Sequence, residues 1–395
     1  MSRAPRILVI ADDLTGAAEL AGILAEAGLP TRILRGGVPA HVAETSLVID
    51  TDSRHASADQ AAAKIRSALK GLPLDTFALI YKKTDSILRG NIAAEIAAVE
   101  SLTGRPRTLL LPQNPSKGRI IRNGEYFISE TPLHETDFRF DPEHPRTSAS
   151  IAALLAPATV MVLATGAALP SEGLAVANAA SLDQLTQWAG TLPPGTLPAG
   201  GADFFKALVQ KVLGGRSSPD PAALVQQIDP TSPGETPPKL VLLGSASGYS
   251  RATAQQWLRD RLPIFPLPDD FTAPPSHASS EAWQSDIRAA LLTRRLAILA
   301  ITAPINSGRA AHYRQSFATV LQQLLAAPEL SRAPLQLFIE GGATAAAALD
   351  ALGWTELAVL ASLAPGVITL RPVAAPDIAL TIKPGSYPWP AGFPA

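Results

Sequence analysis

The chain of 395 residues contains no cysteine. Disulfides, thiolate metal ligands and cysteine nucleophiles are therefore excluded. Aromatic residues make up only 5% and charged residues 17%, against 47% hydrophobic. So few charges with so much apolar side chain indicate a well-buried globular protein, not a disordered one. The charges balance to a net −1, so no overall field draws the chain to nucleic acid or to an acidic membrane. Any anion site must come from a local cluster. No uninterrupted apolar run reaches membrane-spanning length, and Ile7–Ala11 is too short for a signal-peptide core. The expected partner is a small molecule, with no nucleic acid and no membrane, in the cytoplasm. Internal repeats, a Walker A pattern and a dinucleotide fingerprint are also absent. The oligomeric state stays open, a homo-oligomer included.

What is present is strand, polar loop and helix in alternation. The length exceeds what one core usually serves, so two domains are expected. A Gly, Ser, Pro and Asp-rich stretch over 214–238 separates residues 1–213 from 239–395 and reads as a linker permitting hinge motion. Each half alternates strands and helices, which predicts α/β architecture: two domains, each a mainly parallel sheet flanked by helices, with a ligand cleft between them.

In the first half, Ile7–Ala11 reads as a buried strand, then Asp12-Asp13-Leu14-Thr15-Gly16, then a helix stopped by Gly28. Asp13 or Thr15 could cap that helix. Two adjacent carboxylates at a strand end also suit a general base or a magnesium position. A haloacid-dehalogenase phosphatase fails on spacing, because Leu14 stands where its second aspartate would be. Leu47–Asp50 predicts a strand delivering Thr51-Asp52-Ser53-Arg54-His55, with Ser57 and Gln60 at capping-box spacing. The apolar run Phe77–Tyr81 predicts a strand leading into a loop, Lys82-Lys83-Thr84-Asp85-Ser86-Ile87-Leu88-Arg89-Gly90-Asn91, with Asn91 capping the next helix. Three cations and a carboxylate exceed what a turn needs, and ligands bind at the carboxyl ends of parallel strands. Lys and Arg suit a phosphate or carboxylate, and Asp suits a hydroxyl or metal. Gly118-Arg119 and Gly124-Glu125-Tyr126 suggest a hairpin-like excursion, residues 132–142 a loop over the site, and residues 198–203 a turn. His134 lacks the partner that a zinc site would show.

In the second half, Leu240–Leu243 leads to Gly244-Ser245-Ala246-Ser247-Gly248. Ala246 sits where a serine-hydrolase elbow needs its nucleophile. Leu335–Ile339 leads to Glu340-Gly341-Gly342-Ala343-Thr344 and a helix; paired glycines at a helix start suit a phosphate, or simply tight packing. Pro365-Gly366 and Lys383-Pro384-Gly385-Ser386 are further loops of phosphate-binding type.

With these motifs assembled, the chain resembles the four-carbon acid sugar kinases, the tetronate kinase family. The resemblance rests on Ala11–Ala17, Lys82–Ser86 with Leu88–Asn91, Gly118-Arg119, and Pro132-Leu133 through Thr136, Phe138 and Asp141-Pro142. It continues through Gly244-Ser245 and Ser247 to Gly341-Gly342 and Thr344, in family order over nearly the whole chain. It implies a first domain binding threonate, erythronate or 3-oxo-tetronate, a second binding ATP, and phosphorylation of the terminal hydroxyl with Mg2+. On this reading Arg89 and Arg54 hold the substrate carboxylate, and Asp85 and Ser86 meet substrate. Asp12 or Asp13 is the base, Asp13 being favoured because Asp12 lies nearer the buried strand end. Lys82 or Lys83 neutralises the transferring phosphate. Gly244, Ser245, Ser247, Gly341, Gly342, Thr344, Gly366 and Lys383 take the ATP. The chain departs from the family pattern at Ala343, where glutamate is usual, at Lys383–Pro388, and at Pro112-Gln113-Asn114-Pro115. The first two motivate a rival expectation, a sugar-acid or nucleotide-binding protein that has lost turnover.

Overall fold

The computed structural model describes residues 4–37, 45–141, 144–214, 237–245, 248–267, 277–301, 310–330, 333–385, 387–390 and 392–394. The chain divides into two compact units, Met1–Ser218 and Pro219–Ala395. Most of the linker expected over 214–238 lies outside the described residues, as do Ser247 and Ser386.

The first unit is a parallel sheet built from β1 (Ile7–Ala11), β2 (Thr31–Arg35), β3 (Ser46–Asp50), β4 (Leu79–Lys83), β5 (Arg107–Leu111), β9 (Met161–Leu163), β10 (Gly173–Ala177) and β11 (Thr196–Gly200). Their order across the sheet is β2-β3-β1-β4-β11-β5-β10-β9, and each neighbouring pair is parallel. The helices are α1 (Leu14–Glu26), α2 (Ala58–Leu69), α3 (Ile92–Thr103), α4 (Ile151–Leu154), α5 (Leu182–Thr191) and α6 (Ala202–Leu213). All five side chains of β1 are buried, as a strand covered on both faces requires. A separate antiparallel ladder, β6 (Arg119–Arg122), β7 (Glu125–Ile128) and β8 (Thr131–Pro132), is the expected excursion.

The second unit follows the same plan. Strands β12 (Lys239–Leu243), β13 (Ile264–Pro266), β14 (Leu296–Ala300), β15 (Leu335–Glu340), β16 (Glu356–Ala364), β17 (Val367–Pro372) and β18 (Ile378–Lys383) run β13-β14-β12-β15-β18-β17-β16. The pairs from β13 to β18 are parallel, and β17 runs antiparallel to both neighbours. Helices α7 (Gly248–Arg259), α8 (His277–Arg294), α9 (Ala310–Ala326) and α10 (Gly342–Leu352) accompany it. Among the described residues no helix is long and apolar enough to cross a membrane.

Several local expectations shift. The fourth strand begins two residues later than its apolar run suggests and takes in Lys82 and Lys83, both buried. The buried run of a parallel interior strand continues through these lysines because each finds a carboxylate, Glu95 or Glu19. Residues 198–203 form no turn: Thr196–Gly200 is an interior strand between β4 and β5. Gly200, at φ +142, allows the chain to pass Leu111, whose backbone a Cβ would strike. Asn91 stands at the N-cap of α3 without a capping bond; its Nδ2 donates to the Ser53 and Ala56 carbonyls at 3.2 and 2.7 Å, tying the loop after β4 to that after β3. The capping box of α2 forms as expected from Ser57 and Gln60. Ser57→Ala should cost about 1 kcal/mol of stability, read by chemical denaturation; no change would mean that tertiary contacts alone hold this helix start.

Candidate active site

The order of strands decides which loops meet. From β1 the chain moves toward β2 and β3, and from β4 it moves the other way, toward β11 and β5. Connections from adjacent strands diverge between β1 and β4, which makes their carboxyl ends the switch point where open α/β sheets bind ligands. Asp12 and Asp13 leave β1 there, and Thr84–Arg89 leave β4.

Arg54, carried in from the loop after β3, ties these residues together. Its Nε and Nη2 donate to the two Asp12 oxygens at 2.8 and 3.0 Å, and its Nη1 to Asp13 Oδ2 at 2.6 Å. Asp85 Oδ1 lies 3.7 Å from the same Nη1. The adjacent aspartates are thereby made unequal. The Asp12 side chain is 3% exposed and that of Asp13 25%. Burial works to raise Asp12, but the Arg54 and Lys82 cations outweigh it and hold the carboxyl below its ordinary value. Burial raises Asp13, the Asp12 charge adds to it, and Arg54 only partly opposes them. Asp13 is also the N-cap of α1, accepting from the Gly16 N–H at 2.8 Å; Thr15 takes no part in that cap.

The two lysines are both buried but have different partners. Lys82 is fully buried, paired with Glu95 of α3 at 2.8 Å and donating to the Lys83 carbonyl at 2.7 Å. Glu95 also accepts from Ser53 Oγ at 2.5 Å. Lys82 is thus an internal strut joining β4, α3 and the loop after β3, in place of the loop cation expected from the sequence. Lys83 leans over the start of α1: a Cβ on Gly16 would stand 3.3 Å from its Cγ and 3.5 Å from its Nζ. Its ammonium lies 3.6 Å from Glu19, which Lys117 also engages at 2.6 Å.

Arg89 and Arg54 were expected to present open forks to a substrate carboxylate. Both forks are instead filled by the protein. Arg89 Nε and Nη2 donate to Asp85 at 3.1 and 2.8 Å, and its Nη1 to Asp141 at 3.1 Å. Burial alone would raise Asp85, but Arg54 and Arg89 together drive it far below the usual carboxylate range. Asp141 ends the segment after β8, so the expected covering loop does reach the site. His134 sits apart, 41% exposed and 3.7 Å from Glu135. Ser86 accepts from Arg119 of β6. Glu19 and Lys117 went unnoticed in the sequence, because a carboxylate in mid-helix and a lysine beside Gly118 look like ordinary surface residues. Asp141 and Arg119 were noted only as parts of motifs.

The second unit has its own switch point. From β12 the chain moves toward β14 and β13, and from β15 toward β18 and β16. Gly244 and Ser245 follow β12, Gly341 and Gly342 follow β15, and Pro384-Gly385 follow β18. These turns are stacked. Thr344 Oγ1 donates to the Gly244 carbonyl at 3.2 Å, and a Cβ on Gly244 would collide with Thr344, one on Gly385 with Ser245. Gly341 has φ +99, and α10 starts there without a side-chain cap, leaving its first N–H groups for an anion. Two assignments change. Lys383 is fully buried, 2.7 Å from Glu340, and donates to the Pro384 and Tyr387 carbonyls at 3.1 and 2.6 Å; it braces the turn from beneath. Gly366 is the turn of the β16–β17 hairpin, where a Cβ would lie 2.6 Å from the Tyr387 ring. Packing explains this glycine fully.

The N–H groups of a nucleotide site on this edge would be those that open α10, since those of Gly244 and Gly341 donate to the Glu340 and Lys383 carbonyls at 3.2 and 2.8 Å. Magnesium finds less: no group of three or more metal-ligating side chains is gathered among the described residues, and Ala343 supplies none. An ion here would depend mainly on the nucleotide's own phosphates.

Two α/β halves, each with its own switch point, one rich in carboxylates and cations and the other in glycines, define a two-domain protein with two separate candidate ligand edges. Residues 7–190 match the family model described as a sugar-binding N-terminal domain, and residues 240–387 the one described as a nucleotide-binding C-terminal domain. The D-threonate kinase of Cupriavidus necator is 32% identical over 91% of this chain and 89% of its own length. The 3-oxo-tetronate kinase of the same organism is 29% identical over 100% and 96%. The match to the D-threonate kinase of Salmonella typhimurium is 36% identical but spans only 38% of this chain and 36% of that enzyme. A Haemophilus influenzae protein of solved structure shares the fold at TM-score 0.72 and 22% identity, covering 96% of this chain and 97% of its own. The chain belongs to the four-carbon acid sugar kinase family.

Proposed function

We propose that the protein transfers the terminal phosphoryl group of ATP to the terminal hydroxyl of a four-carbon sugar acid of the threonate, erythronate or 3-oxo-tetronate type. The observation that carries this reading is the split pair at the end of β1. Arg54 bonds to both carboxylates, but grips the buried one by two bonds and its neighbour by one, and that neighbour is raised and more open, as a base beside a fixed anion should be. Asp13 takes the proton of the acceptor hydroxyl. Lys83, above the same helix turn, neutralises charge on the transferring group, while Lys82 holds the strand end rigid. Asp85 and Ser86 meet substrate hydroxyls. ATP supplies the phosphoryl group; the uncapped backbone N–H groups that open α10 at Gly342 cradle its phosphates, beside the Gly244-Ser245 turn, with Mg2+ carried on them. Phosphoryl transfer asks for this positioning and charge neutralisation more than for covalent chemistry. A reaction that draws on ATP suits a cytoplasmic protein. The domain roles follow: residues 1–213 bind the acid and 239–395 the nucleotide.

The test is ATP consumption with magnesium over a panel of four-carbon and related sugar acids. Turnover with one of them is expected. Acid binding without turnover across the panel would favour the rival, a protein that binds but does not catalyse; Ala343 and the committed Lys383 are the observations on its side. A second measurement concerns the nucleotide. Gly342 is half-buried, has no positive φ and opens α10, so Gly342→Val can fold while placing a side chain among the open N–H groups. Nucleotide binding should be lost and acid binding kept. A folded variant with normal ATP affinity would show that the glycine pair is only a packing device.

A further inference from the structure

Resting on the sugar-acid reading, the remaining question is which group holds the acid's carboxylate. The Nε–Nη2 edge of a guanidinium grips a carboxylate with two parallel bonds, so the arginine responsible must have that edge unspent. Four arginines gather near the ends of β1 and β4. Arg54 spends the edge on Asp12 and Arg89 spends it on Asp85. Arg146 turns Nε to the His144 carbonyl and Nη1 to the Leu88 carbonyl. Arg119 is different. Its Nη1 donates to Ser86 Oγ, and its Nε and Nη2 have no hydrogen-bond partner among the described residues. The face of Phe138 lies 5.9 Å from its guanidinium carbon.

A second group points the same way. In the β6–β7 ladder Ile121 pairs with Tyr126, and Arg119 lies two residues before Ile121, so Arg119 and Tyr126 share one face of the ladder. Tyr126 is fully buried, yet its hydroxyl has no hydrogen-bond partner among the described residues. A buried, unpaired hydroxyl is costly and calls for an explanation. Tyr126 lies within the electrostatic reach of both Arg119 and Asp85, which sets it beside the strand-end loop.

We infer that Arg119 and Tyr126 form the carboxylate subsite of the sugar-acid pocket, with Arg119 giving the two-pronged grip and Tyr126 a third donor. Selectivity for an acid over a neutral polyol then comes from the antiparallel excursion. The strand-end arginines Arg54 and Arg89 instead keep the aspartates in place. Ser86, next to Asp85 and bonded to Arg119, links the carboxylate end of the substrate to its hydroxyls.

Calorimetry on the full chain without ATP tests this, using the acid that binds wild type most tightly and the neutral polyol of the same length. Arg119→Gln should weaken acid binding roughly 10- to 100-fold, leave polyol and ATP binding unchanged and so erase the preference for acid. Arg119→Lys should recover only part of the loss, since it restores charge without the fork. Tyr126→Phe should weaken the acid several-fold with the Arg119 dependence intact. In turnover, KM for the acid should rise with kcat little changed. Wild-type acid affinity in a folded Arg119→Gln protein would overturn the subsite and leave the kinase reading standing. Failure of the wild type to bind any acid would overturn both.

Discussion

Asp13→Asn should abolish most turnover, by roughly 10²–10⁴-fold, while acid affinity stays near that of wild type. The variant can still fold, because asparagine caps a helix about as well as aspartate and so can replace the bond from Gly16, while Arg54 keeps its two bonds to Asp12. What it removes is a proton acceptor. Asp12 cannot substitute, since both its oxygens are held by Arg54 and its side chain is almost wholly buried. A pH profile sharpens the test. A base must be ionised to act, and burial with the Asp12 charge raises Asp13 above its ordinary value. The acid limb of kcat/KM should therefore fall at a higher pH than an ordinary aspartate would give, and it should vanish in Asp13→Asn. Full turnover in that variant would remove Asp13 as the base, and full turnover in Asp12→Asn as well would remove the whole loop.

Arg54→Ala should destabilise the protein by about 3–5 kcal/mol at neutral pH, the usual consequence of deleting one partner of a buried ion pair. Two carboxylates lose their cation at once, and Asp12 has almost no access to water. The penalty depends on pH. Asp12 sits below the ordinary aspartate value in the folded protein, so its pairing stabilises fully above that value and is lost as pH falls through the folded one. The difference between wild type and Arg54→Ala should accordingly narrow in strong acid. Denaturant unfolding at several pH values would measure it. A difference below about 1 kcal/mol at pH 7, or one that does not narrow in acid, would mean that Arg54 is not the cation that holds Asp12. Acid binding should fail in this variant too, through loss of the aspartate geometry, whereas Arg119→Gln should leave stability unchanged.

The two families of corrections have one origin. Lys82, Lys83 and Lys383 read as loop cations because a charge in a sequence suggests solvent. Each lies at the end of a strand opposite a carboxylate that is buried or half-buried, Glu95, Glu19 or Glu340, and those partners lie 13 to 64 positions away. Local pattern carries no trace of such a pairing. Pro365-Gly366 looked like a phosphate loop for the converse reason: a hairpin turn and an anion cradle use the same residues, and only the strand order separates them.

By itself the sequence determined the α/β alternation, the buried first strand, the capping box at Ser57, the polar character of each strand-end loop and the family. Those features are set by neighbours within a few residues, through periodicity, backbone conformation and turn chemistry. The tertiary structure decided which loops share a switch point, which lysines are struts, which arginine forks are already filled, and which of two adjacent aspartates is open. These outcomes depend on strand order and on burial. Burial changes the strength of every charge interaction according to partners that chain position does not reveal.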